Sequence, residues 1–284
     1  MRALKLEVVD AVWEAFRHRI PPLINTHPRG GGRKRIDDRL CFRGILIRLV
    51  TGCGWEDVEA ILEEAVSDTT LRSRRDEWVD AGAFGELEEE ALAAYDRIIE
   101  LDFSETCIDG SLHKAPCGGE GTGKNPTDRA KLGHKWSIGT DGNGIPFAWS
   151  LNGANRHDSR MLIPTLADAL RRGLLDEIET LHLDRGYDSK TVREICSGMG
   201  IQDAVIAKRK KRGEPRKKQP LHLGLRWTVE RTNSWLSNFG QLRRNTDRKS
   251  IHRRAQFGLA VVLLVTAKLI DWRNRWSPPQ VDIR

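Results

Sequence analysis

The feature that most constrains this fold is a change of hydrophobic pattern at about residue 102. Before it, apolar residues recur at helical spacing, as at Val8, Val12 and Phe16. After it, short strand-like runs bounded by turn signals alternate with helical segments, in the order strand, hairpin, helix, strand, helix, strand, helix. This alternation predicts an α/β fold with a mixed sheet and flanking helices. We therefore expect a mostly helical domain at 1–100 and a sheet-containing domain at 101–284.

The first hundred residues contain several amphipathic segments. The predicted helices are Leu4–Arg19, Asp37–Val50, Trp55–Glu63 and Asp68–Asp80. The last two, joined by a short turn, have the form of a helix-turn-helix, whose second helix would read a DNA groove. Leu71, Arg75 and Trp78 lie along one side of this second helix, and Arg72 and Arg74 lie elsewhere on it. The alternative is a plain helical bundle with solvated charges, because this region carries 15 basic and 20 acidic residues.

The second domain is defined by its strands and turns. Predicted strands are Ser104–Asp109, Lys135–Gly139, Ile145–Leu151, Thr180–Asp184 and Asp203–Ala207. Predicted helices are Asp158–Arg171, Ser189–Ser197, Leu225–Phe239 and Ile251–Trp276. The Asp-Gly and Asn-Gly pairs within Thr140–Gly144 are strong signals for a hairpin between the second and third strands.

Basic charge is concentrated late in the chain. The formal net charge of the protein is +7, whereas Ile206–Gln256 alone holds 16 basic and 3 acidic residues. A field this concentrated usually indicates a polyanionic partner, with nucleic acid the default. The run at 208–218 is either a solvated loop or a surface that contacts DNA phosphates in a salt-sensitive manner, and we favour the second. The candidate DNA-binding residues in and after this run are Lys208, Arg209, Lys210, Lys211, Arg226 and Arg231.

Cysteine use and hydropathy bear on the cellular compartment. The five cysteines are odd in number and scattered, without a C-x-x-C pair, so they indicate neither a disulfide framework nor a zinc ribbon. Glu7 and Asp10 interrupt what would have to be an apolar signal core. The most apolar stretch, Ala255–Ile270, is short for a membrane span and predicts a core helix. We expect a cytoplasmic, nucleoid-associated protein with no membrane partner.

Three acidic residues stand out by position. Asp109 and Asp184 end predicted strands, and Glu230 lies within the helix that follows the basic run. Sites in such sheets gather beyond the carboxyl ends of strands, so the two aspartates converge if their strands are neighbours. Converging carboxylates without a His or Cys cluster favour Mg²⁺, with Mn²⁺ as a substitute. Since the chain has 40 acidic residues, spacing alone leaves other readings open, including an exposed ion pair between Arg226 and Glu230.

Six short motifs occur in order along the chain. They are Leu49–Val58, Ile108–Ser111, Gly133–Lys135, Asn155–Ser159, Asp184–Ser189 and Arg226–Leu236. Together they extend over nearly the whole chain, and they resemble the motifs of DDE transposases of bacterial insertion sequences, specifically the insertion-sequence-five family. The resemblance implies a ribonuclease-H-like catalytic fold, in which Asp109, Asp184 and Glu230 match the metal-binding triad.

The resemblance also implies a reaction and its partners. Two Mg²⁺ ions on the triad would support cleavage by water at a transposon end, and the freed 3′-hydroxyl would then attack target DNA. The implied partner is double-stranded DNA, both the terminal inverted repeats and the target. Because two ends must be held together, a homodimer or larger synaptic assembly is expected.

One family signature is only partly present. It commonly reads Tyr, two residues, Arg, three residues, Glu, six residues, Lys. Arg226 and Glu230 match it, whereas Leu223 and Ser237 stand at the Tyr and Lys positions. The departures leave the triad intact and affect only DNA contacts, for which Arg243 or Arg244 are the substitutes in this sequence.

Two other functions fit the same residues. A ribonuclease-H-like nuclease would cut DNA without joining it, and a domesticated DNA-binding regulator would do neither. A strand-transfer assay with pre-cut ends separates the first from a transposase, and metal-dependent cleavage separates the second.

Overall fold

The structure, a computed structural model, describes residues 5–22, 34–208 and 227–276. Contacts divide the chain into two compact units. The helical unit comprises Met1–Glu100, Phe239–Gln241 and Ile251–Arg284, and the sheet unit comprises Leu101–Asn238 and Leu242–Ser250. The last long helix thus groups with the helical unit, although the predicted catalytic domain runs to residue 284. The assignment of DNA-end recognition to 1–100 and catalysis to 101–284 stays a prediction.

The described helices follow the predicted segments closely. They are α1 Leu6–Phe16, α2 Asp38–Thr51, α3 Trp55–Ile61, α4 Asp68–Asp80, α5 Ala83–Ile99, α6 Asp158–Arg171, α7 Lys190–Gly198, α8 Trp227–Ser237, α9 Gly240–Arg243 and α10 Ser250–Trp276. Of these, α5 and α9 do not correspond to any individually predicted helix. The connection between α3 and α4 spans 62–67, which is longer than the predicted helix-turn-helix turn because α3 ends at Ile61.

The helical unit is built around stacked aromatic rings. The ring of Phe16 lies 4.8 Å from Phe42, 5.0 Å from Trp78 and 5.0 Å from Phe84, measured between centroids. Such offset and edge-on pairs add to the free energy gained by burying the rings. Asp37 caps α2 by accepting hydrogen bonds from the first backbone N–H groups of that helix, which explains why the helix begins there.

The long helix α10 is a core helix. By length and composition it could cross a membrane, but 61% of its most apolar 18-residue window is buried inside the protein. Gly258, in the middle of α10, lies so close to α5 that a Cβ built on it would come within 2.1 Å of Oε2 of Glu88. Burial of this kind is expected for the core helix predicted from the sequence.

The sheet unit contains one mixed sheet. Its strands are β1 Glu105–Lys114, β2 Gly123–Lys124, β3 Leu132–Thr140, β4 Pro146–Gly153, β5 Thr180–Leu183 and β6 Asp203–Ile206. The sheet order is β2-β3-β1-β5-β6, with β4 also paired to β3. The pairs β1–β3 and β3–β4 are antiparallel, whereas β1–β5 and β5–β6 are parallel. An antiparallel meander continued by two parallel strands confirms the predicted ribonuclease-H-like fold class.

Helices cover both faces of this sheet. On β3, Trp136 donates a hydrogen bond to Asn233 of α8 at 2.8 Å, and the next residue, Ser137, accepts one from Thr165 of α6 at 2.9 Å. Because neighbouring strand residues point to opposite faces, α8 and α6 lie on opposite sides of the sheet. The main hydrophobic core of the unit lies on the α6 side and includes Ile108, Leu166 and Leu183.

Candidate active site

Asp109 lies in the central strand of the sheet. The prediction placed it at the end of the first strand, but β1 continues to Lys114 because β3 pairs with it as far as Gly133. Asp109 is partly buried. Its cross-strand partner is Ile138, which shares a face with Trp136, so the Asp109 side chain belongs to the face that α8 covers.

Asp184 follows directly after β5, the parallel neighbour of β1. The register pairs Glu105 with Thr180 and Cys107 with His182, where the pairing of the two strands ends. Asp109 and Asp184 each follow that last pair by two residues, so they have the same offset on adjacent strands, which lie about 4.8 Å apart where they are paired. Oδ1 of Asp184 accepts a hydrogen bond from the N–H of Gly186 at 2.6 Å, which begins the short helical turn after the strand.

A third carboxylate, which the sequence did not single out, approaches from the opposite face. Asp158 stands in the first turn of α6, and its Oδ1 accepts a hydrogen bond from Nζ of Lys135 at 2.8 Å. A Cβ built on Gly110 would lie 2.2 Å from the same oxygen, so this carboxylate touches the backbone next to Asp109. Lys135 and Asp158 both lie in motifs on which the family resemblance rests. Nothing in the sequence indicated that Lys135, a charged residue within a strand, would be buried.

The charges of all three aspartates act on the buried hydroxyl of Tyr187. Burial raises the pKa of Tyr187 well above its ordinary value, and the charges of Asp158, Asp109 and Asp184 add to the effect, while the neighbouring Ser137 acts in the opposite direction. The charges of the three carboxylates therefore act on the same buried hydroxyl group, although Asp158 is paired with Lys135.

Glu230 lies in the first turn of α8 and is exposed. The helix is anchored two and three residues after it. Thr232 donates a hydrogen bond to the carbonyl of Gly144 in the hairpin turn, and Asn233, three residues after Glu230, accepts one from Trp136. Since residues three apart are neighbours on a helix surface, Glu230 stands beside Asn233 on the face of the sheet that carries Asp109.

Arg231, predicted to contact DNA, has structural contacts. Its guanidinium lies 4.1 Å from the ring centroid of Trp227 and 4.6 Å from that of Trp235, and it donates to the carbonyl of Asn143. Burial lowers the pKa of Arg231, although the nearby carboxylate of Asp141 acts in the opposite direction. These contacts hold α8 against the hairpin turn and favour a positioning role for Arg231.

The other predicted DNA-binding residues fall into two groups. Lys208, Arg243 and Arg244 are exposed, and Arg244 forms an isolated bridge with Lys114 at the far end of β1. Arg209, Lys210, Lys211 and Arg226 lie outside the described residues. The segment that contains them starts just after β6, which is the strand next to Asp184 in the sheet.

The atoms at this edge of the sheet that could bind a metal ion are carboxylate oxygens. Among the residues that the structure describes, no group of three or more His, Cys, Asp or Glu side chains is arranged to enclose a metal ion. Mg²⁺ seldom needs such a cage, because it keeps several waters and is usually bound by one or two carboxylates together with substrate phosphates. Asp109 and Asp184 place two carboxylates on adjacent strands.

Two family models match the chain. One, described as "Transposase DDE domain", matches residues 100–265, which is more than half of the chain, and contains all three acids. The chain belongs to the DDE transposase family. The second model, "Putative transposase of IS4/5 family", matches residues 8–87 and extends this DDE transposase assignment into the helical unit.

Curated relatives of this DDE transposase come from Burkholderia cepacia. The chain is 41% identical over 135 residues to "Putative transposase for insertion sequence element IS402", covering 45% of this chain and 61% of that protein. It is 31% identical over 117 residues to "Insertion element IS402 uncharacterized 16.2 kDa protein", covering 41% of this chain and 79% of that protein. The chain thus matches about three fifths of the length of the first relative.

Solved structures show a weaker likeness. "Mos1 transposase paired-end complex with left transposon end" has a TM-score of 0.26 and 10% identity, covering 87% of this chain and 82% of that one. "Crystal structure of the Mos1 mariner paired end complex with Mn" has the same TM-score and identity, covering 93% and 87%. Similarity at this level supports no conclusion about site or function.

Proposed function

We propose that this DDE transposase catalyses cleavage of DNA at the ends of its own transposon and transfer of the freed strand into target DNA. The observation that supports the proposal is the register of β1 and β5, which gives Asp109 and Asp184 the same offset on adjacent strands, on the face covered by the helix of Glu230. In cleavage, a water oxygen attacks the phosphorus and the bond to the 3′-oxygen breaks. In transfer, that 3′-hydroxyl attacks a target phosphorus and displaces another 3′-oxygen.

The proposed cofactor is Mg²⁺, with Mn²⁺ as a substitute. The carboxylates of Asp109 and Asp184, which lie on adjacent strands and both act on Tyr187, support a divalent cation, because their mutual repulsion falls when the cation binds. In this scheme Asp109, Asp184 and Glu230 hold the metal. When bound, the ions supply activation of the attacking oxygen and stabilisation of the leaving one. The protein contributes the rigid strands that fix Asp109 and Asp184 and the anchored helix that carries Glu230.

The proposed substrate surface is basic. Lys208, Arg243 and Arg244 are exposed, and the basic run at 208–218 begins next to the strand that carries Asp184. Phosphate contacts of this type give affinity that falls steeply with salt and carries little sequence information. We propose that the protein works as a homodimer or larger assembly, since two transposon ends must be held together, and that it acts in the cytoplasm on nucleoid DNA.

The test is the variant Glu230→Gln, which keeps the size of the side chain and removes its charge. We expect cleavage of a duplex carrying the DNA that flanks the gene to fall about a thousandfold or more, because several kcal/mol of transition-state stabilisation are lost. Binding of the same duplex, measured by fluorescence anisotropy in Mg²⁺, should change little. The matched control is Glu194→Gln, an exposed acid on α7, which should cleave normally. Normal cleavage by the Glu230 variant would overturn the proposal.

A second experiment separates transfer from cutting alone. Duplexes with a pre-cut 3′-hydroxyl end are incubated with wild-type protein, Mn²⁺ and a supercoiled target plasmid. Joined products are expected. Cleavage without joining would identify a nuclease, and binding without either reaction would identify a regulator.

A further inference from the structure

Lys135 is a buried cation beside the proposed active site. Only 6% of its side chain is exposed, and its Nζ lies 2.8 Å from Oδ1 of Asp158, whose side chain is 35% exposed. A buried ammonium is tolerated when it is paired, because removing it from water costs several kcal/mol. The pair joins the middle of the sheet to the first turn of α6 and so fixes where that turn sits.

The carboxylate of Asp158, which is paired with Lys135, packs closely against β1. The space that a side chain at residue 110 would occupy is filled by Oδ1 of Asp158, 2.2 Å from an ideal Cβ position. Only glycine permits this approach. Asp109 is the preceding residue, and its side chain points to the opposite face of the same strand. A movement of Asp158 would therefore be passed to Asp109 through the backbone.

We propose that the Lys135–Asp158 ion pair is a positioning element of the active site, which fixes β1 at Gly110 and thereby sets the place of the Asp109 carboxylate. Asp158 acts through the backbone, because it is paired with Lys135 on the α6 side of the sheet, whereas the Asp109 side chain belongs to the opposite side. Groups that orient metal ligands in this indirect way typically change metal affinity or activity by about 10- to 100-fold when removed. The inference rests on the proposed function, since it assumes that Asp109 binds a metal.

The main test replaces the ion pair by a neutral pair, in the double variant Lys135→Gln with Asp158→Asn. This variant keeps the net charge of the site and leaves no lone buried charge, so its thermal unfolding should stay near that of the wild type. We expect Mn²⁺ affinity, measured on the full-length protein by electron paramagnetic resonance without DNA, to fall at least about tenfold. Cleavage should fall by a similar factor, with DNA binding unchanged.

Two single variants refine the test. Lys135→Arg keeps the charge and should recover most of the Mn²⁺ affinity that the double variant loses. Gly110→Ala leaves both charges in place but forces Asp158 away from β1, and it should weaken Mn²⁺ binding at least about tenfold. Its matched control is Gly258→Ala in the helical unit, where a Cβ meets the Glu88 carboxylate at 2.1 Å. That change should lower thermal stability and leave Mn²⁺ affinity unaltered.

The outcomes are distinct. Mn²⁺ affinity equal to wild type in a folded double variant, or in Gly110→Ala, would overturn the positioning role. If one of the two does not fold at any temperature, the other decides. If wild-type protein itself binds no Mn²⁺, the proposed function fails, whatever the variants do.

Discussion

Buried cations of the two units have different surroundings. In the helical unit, Arg74 forms ion pairs with Glu77 at 2.8 Å and with Asp38 at 3.1 Å, and Arg75 forms one with Asp76 at 2.8 Å. Arg75 also lies 5.2 Å from the ring centroid of Trp55. Both arginine side chains are only 10% exposed. These two arginines of the predicted groove-reading helix are therefore engaged within the helical unit.

In the sheet unit, acidic side chains predominate near the buried cation. The charges of three aspartates act on Tyr187, and Lys135 is paired with one of them. Charges that neutralise each other across a helix bundle stabilise the fold, whereas carboxylates of like sign gathered at a strand edge oppose it unless a cation binds. We therefore expect that removing an acidic side chain lowers stability in the helical unit and activity in the sheet unit.

The largest expected effect tests the sheet side of this comparison. Asp184→Asn should lower metal-dependent cleavage about a thousandfold. The amide keeps an oxygen for the Gly186 N–H, and one negative charge leaves the cluster, so the melting temperature should stay unchanged or rise slightly. Cleavage assays and calorimetry in the absence of divalent ions provide the two readouts. If Asp184→Asn instead lowered the melting temperature and left cleavage intact, this acid would contribute to stability and not to activity, which contradicts the contrast between the two units.

Local signals predicted part of the fold. Turn residues predicted the hairpin that β3 and β4 form, whereas the assignment of Asp109, Asp184 and Glu230 from strand ends and motif order stays a prediction. Long-range partners left no such signal. The burial of Arg74 depends on Asp38, which is far away in sequence, and the extension of β1 to Lys114 depends on pairing with β3. Contacts of this kind follow from tertiary packing and not from periodicity.

A smaller effect is expected in the helical unit. Glu77 bonds to Arg35 at 2.9 Å and to Arg74 at 2.8 Å. Burial opposes ionisation of Glu77, but these two arginines outweigh it and lower its pKa. Glu77→Gln should reduce the free energy of unfolding by about 1 to 2 kcal/mol at pH 7, a value that allows for partial exposure.

The pH dependence of that loss has a defined sign. A carboxyl group with a lowered pKa stabilises the fold above its ordinary pKa of 4.5 and loses this contribution as pH falls, so the deficit of the Glu77→Gln variant should shrink in acid. Urea unfolding at pH 7 and pH 4 measures it. The control is Asp80→Asn, an exposed acid on the same helix, which should be nearly neutral. Loss of cleavage per folded molecule in the Glu77 variant would contradict the separation of roles.

At pH 7 the smallest effect is expected from the buried histidines, which also differ between the units. Nε2 of His252 in the helical unit lies 3.1 Å from the carboxylate of Asp76. His113 in the sheet unit instead bonds to the hydroxyl of Ser111 at 2.8 Å, and its ring stacks on Trp136 with centroids 3.4 Å apart. Burial, with a further contribution from His134, lowers the pKa of His113 from 6.5 to about 2.

A histidine with a lowered pKa takes up its proton on unfolding, so the unfolded chain gains relative stability as pH drops below about 6.5. The free energy of unfolding should therefore fall by up to about 1.4 kcal/mol per pH unit from this group. His113→Gln removes the titration while keeping a side chain that can hydrogen-bond to Ser111. Urea unfolding of both proteins at pH 7, 6 and 5, followed by tryptophan fluorescence, should show the wild type losing stability relative to the variant. Parallel curves would mean that His113 is already protonated in the folded sheet unit, in which case its buried charge would need an acidic partner, as in the helical unit.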